Sequence, residues 1–152
     1  MAFTAFEQYV AHAFGSADCV RSVVPEEQNS DYESGLAVID GETWHIRTAR
    51  NTPKKPGAFV AVWARDAEGN TVPLPNNDPA RGLLVFVSDG PRRGVFRFTA
   101  EHLRGLGVTE SARRPGKRGF RVYPAWCEEL NERATASQAA QASAFTELPR
   151  CN

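Results

Sequence analysis

Apolar residues at the start of the chain recur with the spacing of a helix. Phe3, Phe6, Val10 and Phe14 fall on one stripe, and Gly15 follows the last of them. This period predicts an amphipathic helix whose aromatic face packs into a core, and the glycine marks its end.

A hairpin is predicted in the next apolar part of the chain. Residues 36–39 are apolar, and the Asp-Gly pair at 40–41 is typical of a two-residue hairpin turn. Residues 43–50 alternate between apolar and polar side chains, which predicts a strand. His45 and Arg47 should therefore share one face of that strand.

Several further elements follow from the same patterns. Strands are predicted at residues 58–65, 83–87, 95–98 and 119–123. Thr99 can cap a short helix that ends near Leu106, and the tail at 137–148, rich in Ala and Gln, predicts a closing helix. The expected fold class is α+β, with a mixed central β-sheet flanked by N- and C-terminal helices.

Length and composition restrict the class of protein. A chain of 152 residues fits one domain, 1–152, and no apolar run reaches the roughly 18 residues of a membrane helix. The start of the chain lacks a charged and then apolar leader, so we expect a cytoplasmic protein without a membrane partner. Cys19, Cys127 and Cys151 have no metal-ligand spacing, and we expect inert thiols, no metal and no cofactor.

Charge is segregated along the chain although the formal net charge is zero. Residues 1–42 hold eight acids and one base, a net of −7, whereas residues 43–126 hold fifteen bases and six acids, a net of +9. Residues 127–152 hold two bases and four acids, which brings the sum to zero. A basic middle of this kind indicates a field directed at an anionic partner.

The basic middle contains two cationic clusters. Residues 43–65 contain no acid, and a second cluster runs from residue 113 to residue 121. The candidate nucleic-acid-binding residues are Arg47, Arg50, Lys54, Lys55, Arg65, Lys117, Arg118 and Arg121. We expect all of these residues except Arg65 to form one positive surface with Glu33 at its edge.

Four stretches of the chain resemble the MepB family of small bacterial proteins. They are residues 27–33, 46–65, 94–96 and 116–126, with Thr-Pro-Lys-Lys at 52–55 and Arg-Val-Tyr-Pro at 121–124 as the specific parts. The resemblance spans about residues 26–147. It implies a fold similar to the restriction-endonuclease-like (PD-(D/E)XK) core, and it suggests nucleic-acid binding.

A nuclease of that type places one acid before a hairpin strand and an acid-x-Lys motif near the end of the next strand. In this chain Glu33 precedes the first strand, and Thr48-Ala49-Arg50 ends the second. The second carboxylate is missing, and Mg²⁺ needs oxygen ligands in near-octahedral geometry. Arg50 keeps its proton and cannot act as a base. Glu33 and Arg50 are therefore remnant candidates for a degenerate site. Alternatively, Glu33 is a structural salt-bridge partner of Arg47 or Arg50.

Three functions remain open on the sequence alone. The first is a nucleic-acid binder that does not cleave, with DNA favoured over RNA. The second is a metal-dependent nuclease whose missing carboxylate comes from Glu42, Asp66 or Asp78. The third is a regulatory module that binds a protein partner through its acidic and basic segments.

Overall fold

The computed structural model describes residues 3–14, 20–25 and 34–149. Within these ranges there are three α-helices, α1 to α3, at Thr4–Phe14, Ala100–Gly105 and Glu132–Gln141, and a 3-10 turn follows at Ala142–Ala144. The strands, β1 to β11, are Val20–Pro25, Gly35–Ile39, Glu42–Thr48, Arg50–Thr52, Lys55–Ala61, Ala64–Arg65, Thr71–Val72, Gly82–Asp89, Arg92–Thr99, Gly119–Val122 and Phe145–Leu148.

The large sheet is mixed, as the sequence predicts. Its strand order is β1-β2-β3-β8-β9-β11, and β3 and β8 are its parallel pair. The chain between β3 and β8 forms a smaller sheet with β10, in the antiparallel order β10-β5-β4, and a two-stranded ribbon of β6 and β7. The fold is therefore α+β, with helices near both ends of the described chain.

The Asp40-Gly41 hairpin forms where the sequence predicts it. Ile39 pairs with Glu42, so the loop contains two residues, and their φ angles are 50° and 80°. Positive φ at both positions is the geometry of a type I′ turn, whose twist matches the flanking strands.

Both faces of the large sheet are covered. On one face, Phe6 and Val10 of α1 pack with Trp44, Ile46 and other side chains of the sheet. On the other face, the small sheet and α2 pack against the core side chains of β8 and β9. The two faces of β3 therefore both lie in the interior, where burial of apolar area stabilises the fold.

The predicted closing helix at 137–148 is wrong in its bounds. Helix α3 begins earlier, at Glu132, with the Asn131 side chain accepting from the Ala134 amide at 2.8 Å. After the 3-10 turn the chain forms β11, which pairs antiparallel with β9. Tertiary pairing overrides helix propensity here, because the Phe145 ring packs against the Phe96 ring at a tilt of 45°, with the centroids 4.8 Å apart.

No helix in the described ranges is both long and apolar enough to cross a membrane.

Candidate functional site

An open cleft of about 740 Å³ lies between β10 and helix α3, next to the end of α2. Four cations from three separate segments line it: Lys55, Lys117, Arg121 and Arg133. Among the described residues, none that lines the cleft is acidic. The cleft therefore concentrates positive charge, and walls of low dielectric strengthen such a field.

Alternation along β10 places the cationic side chains. Odd-numbered residues from Lys117 to Tyr123 line the cleft. Phe120 also borders it but is largely buried, and Val122 is fully buried. Lys117 is held at the start of this segment because its amide donates to the Val108 carbonyl at 2.8 Å.

Gln141 closes part of the free edge of β10 with its side chain. Its Oε1 accepts from the Tyr123 amide at 2.9 Å, and its Nε2 donates to the Arg121 carbonyl at 2.8 Å. The side chain thus takes the place of a pairing strand, which satisfies backbone groups that would otherwise lie unpaired at the cleft wall.

The outer face of the small sheet adjoins the cleft. Arg121 pairs with Phe59 across β10 and β5, and Phe59 pairs with Arg50 across β5 and β4. The three side chains therefore form one row, because cross-strand partners share a face. Arg50 is exposed, and Phe59 and Arg121 are half-buried.

The structure brings the two cationic clusters of the sequence together. Lys55 from the first cluster and Lys117 and Arg121 from the second line the same cleft. Lys54 is exposed in the turn between β4 and β5, next to Lys55. These residues meet because β5 and β10 pair, which sequence patterns did not predict.

Arg133 is a cleft residue that the sequence analysis missed. It lies in the first turn of α3. The sequence feature that indicates it is Asn131, because asparagine is a favourable N-cap and predicts a helix that begins before Arg133. The predicted helix began at Ser137 instead.

Arg65 and Arg118 do not line the cleft but lie near the β6–β7 ribbon. Arg65 donates to the Gly69 carbonyl at 2.7 Å and stacks over the Trp63 ring, with its Cζ 5.2 Å from the centroid. Arg118 donates to the Thr71 hydroxyl at 3.3 Å. Both side chains are exposed.

Arg47 was predicted to lie on the positive surface, and this is wrong. Its exposed fraction is 1%. The alternation of β3 indicated a strand with one solvated face, but the small sheet covers the face that carries His45 and Arg47. A side chain at this depth cannot contact a phosphate on a surface ligand, so Arg47 is a structural residue.

The remnant nuclease site is described only in part. Glu33 lies outside the described residues. Thr48 is half-buried, Ala49 packs against the core of the small sheet, and Arg50 begins β4 in an exposed position.

The three carboxylates considered as replacements for the missing nuclease acid each have a different partner in the structure. Glu42 forms an ion pair with Arg81 at 2.9 Å, and Asp78 lies 2.9 Å from Nε2 of the buried His45. Asp66 accepts from backbone amides of its own turn, and chiefly the Asn70 amide holds the pKa of this carboxyl below its usual value. Within the part of the chain that the structure covers, no three His, Cys, Asp or Glu side chains are grouped to hold a metal.

Comparison with known proteins now places the chain in a family. The MepB-like family model matches residues 26–147. The chain belongs to the MepB-like family. It is also similar to a solved structure, the crystal structure of MepB, with a TM-score of 0.84 and 31% sequence identity over 97% of each chain. No curated protein matches this member of the family.

Proposed function

We propose that this protein binds nucleic acid, DNA rather than RNA, through the basic cleft, and that it does not cleave the bound strand. The observation that carries the proposal is the convergence of Lys55, Lys117, Arg121 and Arg133 on one cleft, where no acidic residue of the described chain joins them. Cations clustered in this way contact phosphates and position a polyanion without selecting its sequence.

The backbone holds these cations in place before a ligand arrives. Lys54 and Lys55 lie between Pro53 and Pro56, which restrict the chain. Arg121 donates from Nη1 to the Pro56 carbonyl at 3.3 Å, so its guanidinium lies beside the same loop. Restricted side chains lose less conformational entropy on binding, which favours affinity.

The absence of cleavage is proposed from the residues at the motif positions. Where a PD-(D/E)XK nuclease has acid-x-Lys, this chain has Thr48-Ala49-Arg50. A neutral hydroxyl supplies no second carboxylate for Mg²⁺, and a guanidinium cannot accept a proton. In this interpretation, Glu33 and Arg50 are the remnants of a degenerate site on a restriction-endonuclease-like core.

The test is a fluorescence-anisotropy titration of a labelled duplex with matched double variants. Lys117→Gln/Arg133→Gln neutralises two cleft cations, and Arg81→Gln/Arg97→Gln neutralises two cations that do not line the cleft. The cleft variant should bind more weakly and lower the magnitude of the salt slope by about 1.8, whereas the control should stay close to the wild type. Equal losses in both variants would assign the binding to net charge alone and contradict the proposal.

A further inference from the structure

We infer that the natural ligand of the cleft is a single strand with an unpaired base stacked on the Phe59 ring. This inference rests on the proposed function and adds the class of nucleic acid. Stacking on an exposed aromatic side chain beside a basic groove is how proteins hold unpaired bases without selecting a sequence.

Phe59 projects away from the core. Its neighbours Ala58 and Val60 are 1% and 0% exposed, and the alternation of β5 therefore sends the Phe59 side chain to the opposite face. Phe59 belongs to neither of the two hydrophobic core clusters that the described residues form. The Phe59 ring therefore lies on the outer face of the sheet, where the residue is half-buried and partly open to solvent.

The ring lies across the neighbouring strand. A Cβ atom added at Gly119 would lie 2.5 Å from Cζ of Phe59 and 3.1 Å from its Cε2. Gly119 thus leaves the space that the ring fills, and any side chain there would push the ring off the sheet. The ring is positioned by the backbone of β10, on the strand that also carries Arg121.

A second ring repeats this arrangement just after the end of β10. A Cβ atom added at Gly57 would lie 2.8 Å from Cδ1 of Tyr123, and Tyr123 also lines the cleft. Along this segment, Arg121 lies between Gly119, which is covered by the Phe59 ring, and Tyr123. The strip therefore alternates aromatic, cationic and aromatic groups, which suits bases and the phosphate between them.

This arrangement favours a single strand over a duplex. In a duplex the bases are stacked and paired inside, and the groups that face a flat protein surface are phosphates and sugars. The Phe59 face can reach a base only when that base is unpaired. A duplex would use the cations of the cleft and leave the ring without a partner.

The test compares Phe59→Leu and Phe59→Trp with the wild type. The probes are a fluorescein-labelled oligothymidine of about 12 nucleotides and a duplex of the same length. Phe59→Leu keeps apolar bulk on the sheet but removes the π surface, and thermal melting checks that each variant folds.

Phe59→Leu should weaken binding of the single strand by about 5- to 150-fold, the range found when one stacked base loses its ring. Its affinity for the duplex should not change, and Phe59→Trp should restore the affinity for the single strand. The added tryptophan should also be quenched by oligothymidine beyond the quenching seen in the wild type.

The two proposals fail in different ways. If the wild type binds both probes and Phe59→Leu weakens neither, the stacking inference is overturned while nucleic-acid binding stands. If the wild type binds neither probe at low salt, the proposed function fails, and the inference fails with it.

Discussion

Arg47 donates from Nε to the carbonyl oxygen of Ala61 at 3.3 Å, and this hydrogen bond joins the central strand β3 to β5 of the small sheet. The same guanidinium donates from Nη1 to the Ile46 carbonyl at 2.9 Å. The Arg47 side chain thus connects the large sheet to the small sheet, whose strand β10 lines the cleft.

Arg47→Met should lower the free energy of unfolding by about 2–4 kcal/mol, because the Ile46 and Ala61 carbonyls lose a donor whose side chain is buried. Arg47→Lys should recover part of that loss. Denaturant unfolding measures both, with the exposed Arg113→Met as the control, which should change stability by no more than about 0.5 kcal/mol. A fully stable Arg47→Met protein would contradict this role.

Gln141 offers a second test of how the cleft is built. Gln141→Leu should leave the Tyr123 amide and the Arg121 carbonyl without their side-chain partner. Because both hydrogen bonds are only partly buried, the cost should be about 0.5–1.5 kcal/mol for each. Hydrogen exchange at the Tyr123 amide should accelerate.

Gln138→Leu is the matched control for this change. Gln138 donates to the Pro124 and Cys127 carbonyls instead, so its loss should not specifically expose the Tyr123 amide. Equal acceleration of Tyr123 exchange in both variants would show that Gln141 has no specific role at the strand edge.

The sequence predicted those elements whose signals are local. The Asp40-Gly41 turn and the Thr99 cap form as expected, because each depends on the conformational preference or hydrogen bond of nearby residues. The burial of Arg47 and the start of β11 depend on which strands pair, and pairing is decided by contacts distant in sequence.

The sequence likewise predicted only part of the candidate site. Charge counting identified Lys55, Lys117 and Arg121, since unbroken runs of cations are visible in a sequence. It could not separate them from the buried Arg47 or add Arg133, because side-chain direction follows from the placement of β3 and α3 in the fold.

The Cys127 thiol should react slowly with alkylating reagents in the folded protein. Its partial burial raises the pKa of the thiol, so the thiolate fraction near neutral pH is smaller than in the unfolded chain. In a Cys19→Ser/Cys151→Ser variant, iodoacetamide should alkylate the native protein more slowly than the urea-unfolded protein at the same pH.

The sign of the pH dependence follows from the raised pKa of Cys127. The unfolded chain gives up its thiol proton first, so this thiol's contribution to stability is present below its ordinary pKa of about 8.5 and is lost as pH rises through the folded value. Equal alkylation rates in the native and unfolded states would contradict the raised pKa.

Incubation with Mg²⁺ should leave plasmid and single-stranded DNA intact. The reason is the Thr48-Ala49-Arg50 sequence at the position of the acid-x-Lys motif. Agarose gels over a time course measure this, with Glu33→Ala as the comparison. Robust turnover by the wild type that disappears in Glu33→Ala would establish a nuclease and overturn the degenerate-site interpretation.

Lys54 and Lys55 should each neutralise about one phosphate. Replacing both with Gln should therefore reduce the magnitude of the salt slope by about two, with a similar loss of affinity on unrelated sequences. A loss confined to one sequence would instead indicate that these lysines contact bases.

The wild-type affinity for duplex DNA as a function of salt tests the central claim most directly. Anisotropy titrations between about 50 and 200 mM salt should show binding that weakens linearly in log–log form, with a slope of about −0.9 for each phosphate contacted. Failure of the wild type to bind either this duplex or a single strand of the same length at the lowest salt, where the electrostatic contribution is largest, would contradict nucleic-acid binding and leave a protein partner as the better hypothesis.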